Sequence, residues 1–180
     1  MAIALRTPRL LLREWRSGDY APFAAICADP EVQRYYYQPP VERAACDAWI
    51  DRMRRRNDEH GFAYWAVELP GEAELIGAVG LSRVRAPGFP FAPAVEIGWR
   101  LAPRYWGQGY ATEAARAVLD DGFLQLGLDE IVAFTLPANQ RSRRVMQRLG
   151  MRRDPADDFD HPGVPDGHPM RRHILYRIRG

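Results

Sequence analysis

This chain of 180 residues lacks several features that would assign it to common functional classes. It contains no lysine, so all 25 basic residues are arginine. A Walker-type phosphate loop needs Gly-Lys-Ser/Thr, and that class is therefore excluded. The two cysteines, Cys27 and Cys46, have no CxxC spacing and no histidine close by in sequence. We expect both to be buried small apolar residues rather than a disulfide or a metal site.

Long hydrophobic runs and a strong charge bias are also missing. No segment approaches the roughly 20 apolar residues of a membrane span, and residues 1–6 lack the apolar centre of a signal peptide. The net charge of +2 singles out neither nucleic acid nor a membrane as a partner. The four histidines show no metal-ligand spacing. We therefore predict a cytoplasmic protein without a metal, bound to neither nucleic acid nor membrane.

The periodicity of apolar residues predicts a mixed α/β protein in one domain, 1–180. Alternating and β-branched segments indicate strands, while apolar residues recurring every three or four positions indicate helices. Strands are predicted at 10–15, 62–69, 75–84, 94–101, 130–136 and 170–178. Helices are predicted at 20–28, 41–60, 110–126 and 142–149, with one or two further turns within 31–37. The segment 154–169 is long for a plain connection, which indicates a binding loop.

The most informative segment is 104–112, Arg-Tyr-Trp-Gly-Gln-Gly-Tyr-Ala-Thr, between a predicted strand and a predicted helix. Glycine lets the backbone approach an anion closely, and the free N–H groups at a helix start favour negative charge. A dinucleotide fingerprint would need a third glycine where this chain has Thr112, and an early strand before the loop. The alternative without a ligand is a tight strand-to-helix turn.

The remaining pattern, Arg-x-x-Gly-x-Gly between a strand and a helix, resembles the acyl-CoA signature of the GNAT acetyltransferase superfamily. Asn139-Gln140-Arg141-Ser142, followed by Leu149-Gly150-Met151, resembles the family's second motif. The resemblance covers most of the chain and is nearest to the ribosomal-protein N-terminal (alanine) acetyltransferase branch. It implies a twisted, mostly antiparallel central sheet of about 6–7 strands flanked by about 4 helices. It also implies a possible homodimer, since members of the family are often dimeric.

The resemblance further implies acetyl-CoA as acetyl donor and an amine as acceptor. Main-chain amides of the glycine turn would hold the pyrophosphate, and an N–H near Trp99 or Leu101 would polarise the thioester oxygen. Arg104 would add a charge-assisted contact, although an exposed arginine is most often only a solvated charge. Asn139 would contact the pantetheine arm and also cap the last helix. The implied cofactor-binding residues are Trp99, Leu101, Arg104, Gly107, Gln108, Gly109, Tyr110, Ala111 and Asn139.

Two residues are candidates for proton transfer. Glu96 lies on the strand before the glycine turn, where many relatives carry the glutamate that takes the amine's proton; the alternative is a carboxylate on a wet strand face. Many members place a tyrosine as general acid seven residues after the asparagine, but this chain has Met146 there. The ribosomal-protein branch instead implies that Ser142 protonates the thiolate or orients a water. A serine at that position is otherwise an ordinary capping residue.

The acceptor pocket is predicted to include Tyr35, Tyr36 and Trp65, although aromatic clusters are more often core. The acceptor class stays open between a protein N-terminus and a small amine such as a polyamine or an aminoglycoside. Two alternatives to an enzyme also stay open. One is an acyl-CoA sensor without catalysis, and the other is a nucleic-acid-binding module that uses the arginines of 52–56 and 141–144.

Overall fold

The computed structural model describes residues 4–37 and 42–180. Its centre is a sheet of eight strands in the order β1-β2-β3-β4-β5-β6-β8-β7. All neighbouring strands run antiparallel except β5 and β6, which are parallel. The strands are β1 (Ala4–Arg6), β2 (Leu11–Arg13), β3 (Tyr64–Leu69), β4 (Ala73–Val84), β5 (Ala94–Leu101), β6 (Glu130–Thr135), β7 (Phe159–Asp160) and β8 (Arg172–Arg179).

Five α-helices flank this sheet: α1 (Tyr20–Ala28), α2 (Pro30–Gln33), α3 (Arg43–His60), α4 (Tyr110–Leu124) and α5 (Gln140–Arg148). The predicted mixed, mostly antiparallel architecture is confirmed, with eight strands and five helices in place of about six to seven and about four. The additional strands are the short β1 and β7, which are too brief to show a period in the sequence, whereas α2 overlaps the further helical turns predicted within 31–37. The predicted start of the third helix at residue 41 lies outside the described residues.

Helix α4 packs on the sheet through one apolar stripe, as the spacing of its alanines predicts. Ala114, Ala115, Val118 and Leu119 are almost completely buried. Gly122 allows close approach, because a Cβ there would meet the side chain of Ile131 at 2.9 Å. Burial of Val118 and Leu119 contributes about 1.5–3 kcal/mol each. This packing fixes the start of α4 at the end of β5, where the glycine turn lies.

On the other side of the sheet, a buried ion cluster attaches α1 to β2 and β3. Arg13 donates to both carboxylate oxygens of Asp19, at 2.7 and 2.9 Å, and to Glu68 at 2.6 Å. These groups satisfy the guanidinium's charge and donors where water is excluded. Trp49 of α3 then packs on Tyr64 of β3, with ring centroids 5.4 Å apart. The cluster and the aromatic contact together hold α1 and α3 on the face of the sheet from which Tyr64 of β3 projects.

Candidate functional site

Strands β5 and β6 open a cleft in the middle of the sheet. Although they are neighbours, they pair only at Glu96 and Val132, near the start of β5. Beyond that pair the strands separate toward their carboxyl ends. A cleft of about 950 Å³ lies there and is lined by residues from α1 to α3, β5, the glycine turn, β6 and α5. A sheet that is interrupted in this way leaves main-chain groups free to bind an extended ligand.

The glycine turn at 107–109 presents a row of free amides to this cleft. Gly107 and Gly109 have φ angles of 77° and 86°, a region that glycine adopts without strain. Helix α4 follows directly and is 15 residues long. The N–H groups of the six residues from Gly107 to Thr112 donate to no acceptor in the described chain; the first intrahelical bond runs from Glu113 to Gly109. Six free donors at the positive end of a helix favour the binding of an anion.

Side chains outside the motif hold this turn in place. The indole nitrogen of Trp106 donates to the carbonyl of Leu101 at 2.8 Å, which joins the turn to the end of β5. Arg9 donates to the carbonyl of Gln108 at 3.0 Å and pairs with Glu113 at 2.6 Å. The sequence analysis missed Arg9, because about a hundred residues separate it from its partners and no local pattern marks it.

Asn139 joins the end of β6 to the start of α5. Its Oδ1 accepts from the main-chain N–H of Ser142 at 3.2 Å, and its Nδ2 donates to the Thr135 hydroxyl at 3.0 Å. The capping role expected for Asn139 is therefore present. Ser142 is half-buried and lines the cleft, and its hydroxyl makes no hydrogen bond within the described chain. Met146 is also at the cleft, is 1% exposed and has no proton to give.

Glu96 lines the cleft, on the same face of β5 as Gly98 and Arg100. It is half-buried, and its carboxylate accepts no hydrogen bond from the described residues. Desolvation raises the pKa of Glu96 to about 7, because the surrounding protein replaces water and donates no hydrogen bond to the carboxylate. A carboxylate with this pKa exchanges protons near neutral pH, which suits a general base.

Tyr64 contributes a second polar group, which the sequence analysis did not identify. Its hydroxyl packs against Gly98 of β5, and a Cβ on Gly98 would overlap it. Burial raises the pKa of Tyr64 well above its usual value, and the Glu96 charge adds to this effect. The hydroxyl has no hydrogen-bond partner in the described chain and Tyr64 lines the cleft. It therefore remains protonated and can donate to, or accept from, a ligand.

Arg100 occupies the same face of β5, beyond Gly98. Its Nε donates to the Tyr36 hydroxyl at 3.3 Å, and its carbon Cζ lies 4.4 Å from the centre of the Tyr36 ring. One terminal nitrogen donates to the sulfur of Cys27 at 3.1 Å. A hydrogen bond from the Cys46 thiol, together with Arg100, lowers the pKa of Cys27. Both cysteines are buried, as predicted, and their sulfurs lie 3.5 Å apart.

The wall opposite these groups is aromatic. Phe134 of β6 and two histidines, His161 and His173, line it. Desolvation lowers the pKa of each histidine, so the wall carries little charge at neutral pH. His161 belongs to the segment predicted as a binding loop, and Gly163 and Met170 also reach the cleft.

The structure brings most of the predicted site residues to the cleft. Glu96, Trp99, Leu101, Gly107, Gly109, Tyr110, Ala111, Asn139, Ser142, Tyr35 and Tyr36 line it. Three predicted residues do not. Trp65 is 7% exposed and packs in the core, because the alternation of β3 points Tyr64 to the cleft and Trp65 away from it.

Arg104 and Gln108 line a separate groove outside the cleft. The Arg104 guanidinium lies over the Tyr105 ring, and the Gln108 side chain donates to the Arg104 carbonyl at 3.1 Å. The geometry therefore gives neither side chain a place against a ligand in the cleft, and Gln108 offers only its main-chain amide. Within the described residues there is also no group of three or more acidic, histidine or cysteine side chains that could hold a metal ion.

Comparison with known proteins gives consistent matches. The profile of the family described as "Acetyltransferase (GNAT) domain" matches residues 9–152. The chain is 32% identical over 174 residues to the uncharacterized N-acetyltransferase YnaD of Bacillus subtilis, covering 97% of this chain and 95% of YnaD. It is 26% identical to the ribosomal protein uS5-alanine N-acetyltransferase of Escherichia coli over 84% of this chain and 79% of that protein.

Among solved structures, an acetyltransferase of the GNAT family from Bacillus anthracis superposes with a TM-score of 0.80 at 27% identity. The match covers 98% of each chain. Separately, none of the helices in the described part of the chain is both long and apolar enough to cross a membrane.

Proposed function

The chain belongs to the GNAT acetyltransferase family and is an acyltransferase, and we propose that it transfers an acetyl group from acetyl-CoA directly to a primary amine in a ternary complex. The family uses acetyl-CoA as donor. One observation supports the proposal above the others: the free amides of 107–112 and the unpaired carboxylate of Glu96 open onto the same cleft. This shared lining supports a pyrophosphate site and a general base that serve one channel.

The cofactor half of this channel fits the proposed donor. The amides of 107–112 can bind a pyrophosphate without any lysine, because the main chain supplies the donors and the helix supplies the positive potential. The separation of β5 from β6 then leaves room for an extended arm. Acetyl-CoA supplies the thioester whose acetyl group a neutral amine attacks.

In the acceptor half, Glu96 receives the amine's proton, directly or through one water, since its pKa of about 7 matches the operating pH. The Ser142 hydroxyl faces the cleft without a protein partner and donates a proton to the departing thiolate or orients a water that does. We further propose that residues 1–180 act as one catalytic domain, because strands from both ends of the chain contribute to one sheet.

The test is a thiol-release assay with acetyl-CoA and a panel of peptides, amino acids, polyamines and aminoglycosides, with mass spectrometry of the products. We expect a gain of one acetyl group on an amine and intersecting lines when both substrates are varied. Parallel lines would contradict direct transfer. Tight acetyl-CoA binding without turnover of any acceptor would instead favour a sensor.

The role of Ser142 can be separated from its position in the helix. Asn139 caps the main-chain N–H of Ser142, which Ser142→Ala retains, so the cap should survive the substitution. We expect a lower kcat with unchanged affinity for CoA and an unchanged melting temperature. Ser17→Ala, at an exposed serine away from the cleft, is the matched control. An unaltered kcat in Ser142→Ala would remove the hydroxyl from the mechanism.

A further inference from the structure

Two arginines that are shielded from solvent, the buried Arg13 and the half-buried Arg100, differ in their hydrogen-bond and charge partners. Arg13 is neutralised by Asp19 and Glu68. Arg100 has no carboxylate partner in the described chain; its hydrogen-bond partners are the Tyr36 hydroxyl and the sulfur of Cys27, whose lowered pKa gives it partial anionic character. Its second terminal nitrogen makes no hydrogen bond to the described residues. A buried cation is normally paired, since removal from water is costly. Arg100 therefore retains a free donor beside the Cys27 sulfur, and a carboxylate on a ligand in the cleft can bind to it.

The position of Arg100 on β5 puts its free donor in the same cleft as Glu96, the proposed general base. Arg100 and Glu96 are four residues apart on one face of β5, so their Cα atoms are separated by roughly 13 Å. Gly98 lies between them, with the Tyr64 hydroxyl against it. An amine held near this hydroxyl has a proton acceptor on one side and a cation on the other. The cation is then within reach of a group attached close to the amine.

The surroundings of Glu96 carry further unpaired positive charge. Arg52 and Arg56 of α3 line the cleft. A second opening of about 390 Å³ also reaches Glu96 and is lined by Arg56, Arg83 and Arg85. None of these four arginines has a carboxylate within ion-pair distance in the described chain. The other acid at the cleft, Glu31, is paired with Arg141 at 3.7 Å. A polycationic acceptor would be repelled by this set of charges.

We propose that the acceptor is a primary amine that carries a carboxylate close to the amine, and that Arg100 binds this carboxylate while Glu96 takes the proton. The inference rests on the proposed function and specifies its substrate class. The new bond joins the amine nitrogen to the acetyl carbon, and the carbon–sulfur bond of the thioester breaks. The amine's proton passes to Glu96 and the thiolate is protonated from Ser142 or water. The carboxylate can be that of a free amino acid or the acidic side chain of a peptide's first residues.

The experiment compares acceptors that differ only in this carboxylate. Free amino acids are measured against their carboxamides, and peptides with an acidic second residue against their amide-containing analogues, with a polyamine as the cationic arm. A carboxamide has the less basic amine, so chemistry alone favours it. We expect kcat/KM to favour the carboxylate by about tenfold or more, as for a hydrogen-bonded charge pair. The two pairs distinguish the amino-acid source from the peptide source.

Three variants test whether Arg100 causes the preference for acceptors that carry a carboxylate. Arg100→Gln should abolish the carboxylate preference, mainly through the KM of the acceptor, and leave the KM of acetyl-CoA unchanged. Arg100→Lys, which retains the charge but not the forked geometry, should retain part of it. Arg6→Gln removes the same charge from an exposed site on β1, away from the cleft, and should change nothing. Melting temperatures of all three variants report any loss of the Cys27 and Tyr36 contacts.

The possible results separate the two proposals. Equal or better use of carboxamides or polyamines would overturn the carboxylate subsite and leave the acetyltransferase assignment standing. A rise in the KM of acetyl-CoA in Arg100→Gln would assign this arginine to the cofactor instead. If no acceptor turns over, calorimetric binding of N-acetyl amino acids and their amides to the CoA-bound protein decides. If the carboxylate is needed for binding and Arg100→Gln removes that binding, the carboxylate subsite is supported, although the acetyltransferase function is not. If no carboxylate-dependent binding is seen, both the subsite and the acetyltransferase function are overturned.

Discussion

The two halves of the cleft are built in different ways. The cofactor half consists of main-chain amides from one continuous segment, 107–112, whose geometry depends on two glycines with positive φ. The acceptor half consists of side chains from separate elements: Tyr64 from β3, Glu96 and Arg100 from β5, and His161 and His173 from the C-terminal part of the chain. The first half is a local structure, whereas the second exists only when the sheet and helices have assembled.

This difference has a consequence for mutation. A main-chain site tolerates most side-chain changes but fails when a glycine loses its conformation. A side-chain site has the reverse sensitivity, since one substitution removes one function and leaves the backbone intact. Substitutions in the two halves should therefore separate cofactor binding from turnover, and three of the four predictions below test whether they do.

The largest expected effect is on turnover when the general base is removed. Glu96→Gln keeps the shape of the side chain but cannot accept the amine's proton, so kcat should fall by about 100- to 10,000-fold. The affinity for acetyl-CoA should not change, because the amides of 107–112 are untouched. In the unmodified protein, kcat/KM should rise with pH through a midpoint of about 7, and the variant should lose this limb.

Glu59→Gln is the matched control, since Glu59 is exposed on the last turn of α3 and lines none of the clefts. It should reproduce the rate and pH profile of the unmodified protein. If Glu96→Gln retains full turnover at every pH, another group performs the proton transfer. If its affinity for acetyl-CoA falls in parallel with kcat, the separation of the two halves is wrong.

The same carboxylate should lower stability at neutral and alkaline pH. The folded pKa of Glu96, about 7, lies above its unfolded value of 4.5. The folded state therefore favours the protonated form, and stability is progressively lost as pH rises from 4.5 through 7. Above pH 7 the cost is at most about 3 kcal/mol. Glu96→Gln should be the more stable protein there in urea unfolding, and the difference should vanish below pH 4.5; a constant difference at all pH values would contradict this.

A smaller effect is expected at the glycine turn. Gly107 has a φ of 77° and no atom within 4 Å of a Cβ position, so Gly107→Val acts through backbone strain alone. Relaxation of that strain, which is about 1–2 kcal/mol, should turn the amides away and weaken CoA binding by about tenfold in calorimetry. Gly71→Val is an unusually close control, since Gly71 has a φ of 81° and equally open surroundings in the β3–β4 turn. Equal losses of CoA affinity in both variants would show a general loss of stability.

The cofactor half could be predicted from the sequence because its signals are contiguous. The glycines follow a strand and precede a helix, and Asn139 lies three residues before the N–H that it caps. For the acceptor half, the two-residue period of a strand predicts only that Glu96 and Arg100 share one face of β5. These inferences need only local geometry, and the structure places the corresponding residues around one cleft. The predicted family and the predicted mixed sheet, which are confirmed, were also inferred from contiguous motifs and local periodicity.

The acceptor half could not be predicted in the same way. Strand β3 has buried residues on both faces, so alternation separates Tyr64 from Trp65 without showing which one meets the cleft. His173 reaches the acceptor half from a distant part of the sequence, through sheet order that the pattern does not specify. That no carboxylate of the described chain pairs with Arg100 depends on its three-dimensional surroundings, and an arginine in a strand carries no sign of it.

The smallest predicted effect concerns Tyr64, the residue that joins the two ends of the acceptor half. Tyr64→Phe retains the ring that packs on Trp49 and removes only the hydroxyl against Gly98. A neutral hydrogen bond contributes about 0.5–1.5 kcal/mol, so kcat/KM for the acceptor should fall by about 2- to 12-fold while the KM of acetyl-CoA stays constant. Tyr20→Phe, at a hydroxyl that pairs with Asp51 away from the cleft, is the control. If Tyr64→Phe affects acetyl-CoA instead, the hydroxyl belongs to the cofactor half, and the boundary between the two halves must be moved to include it.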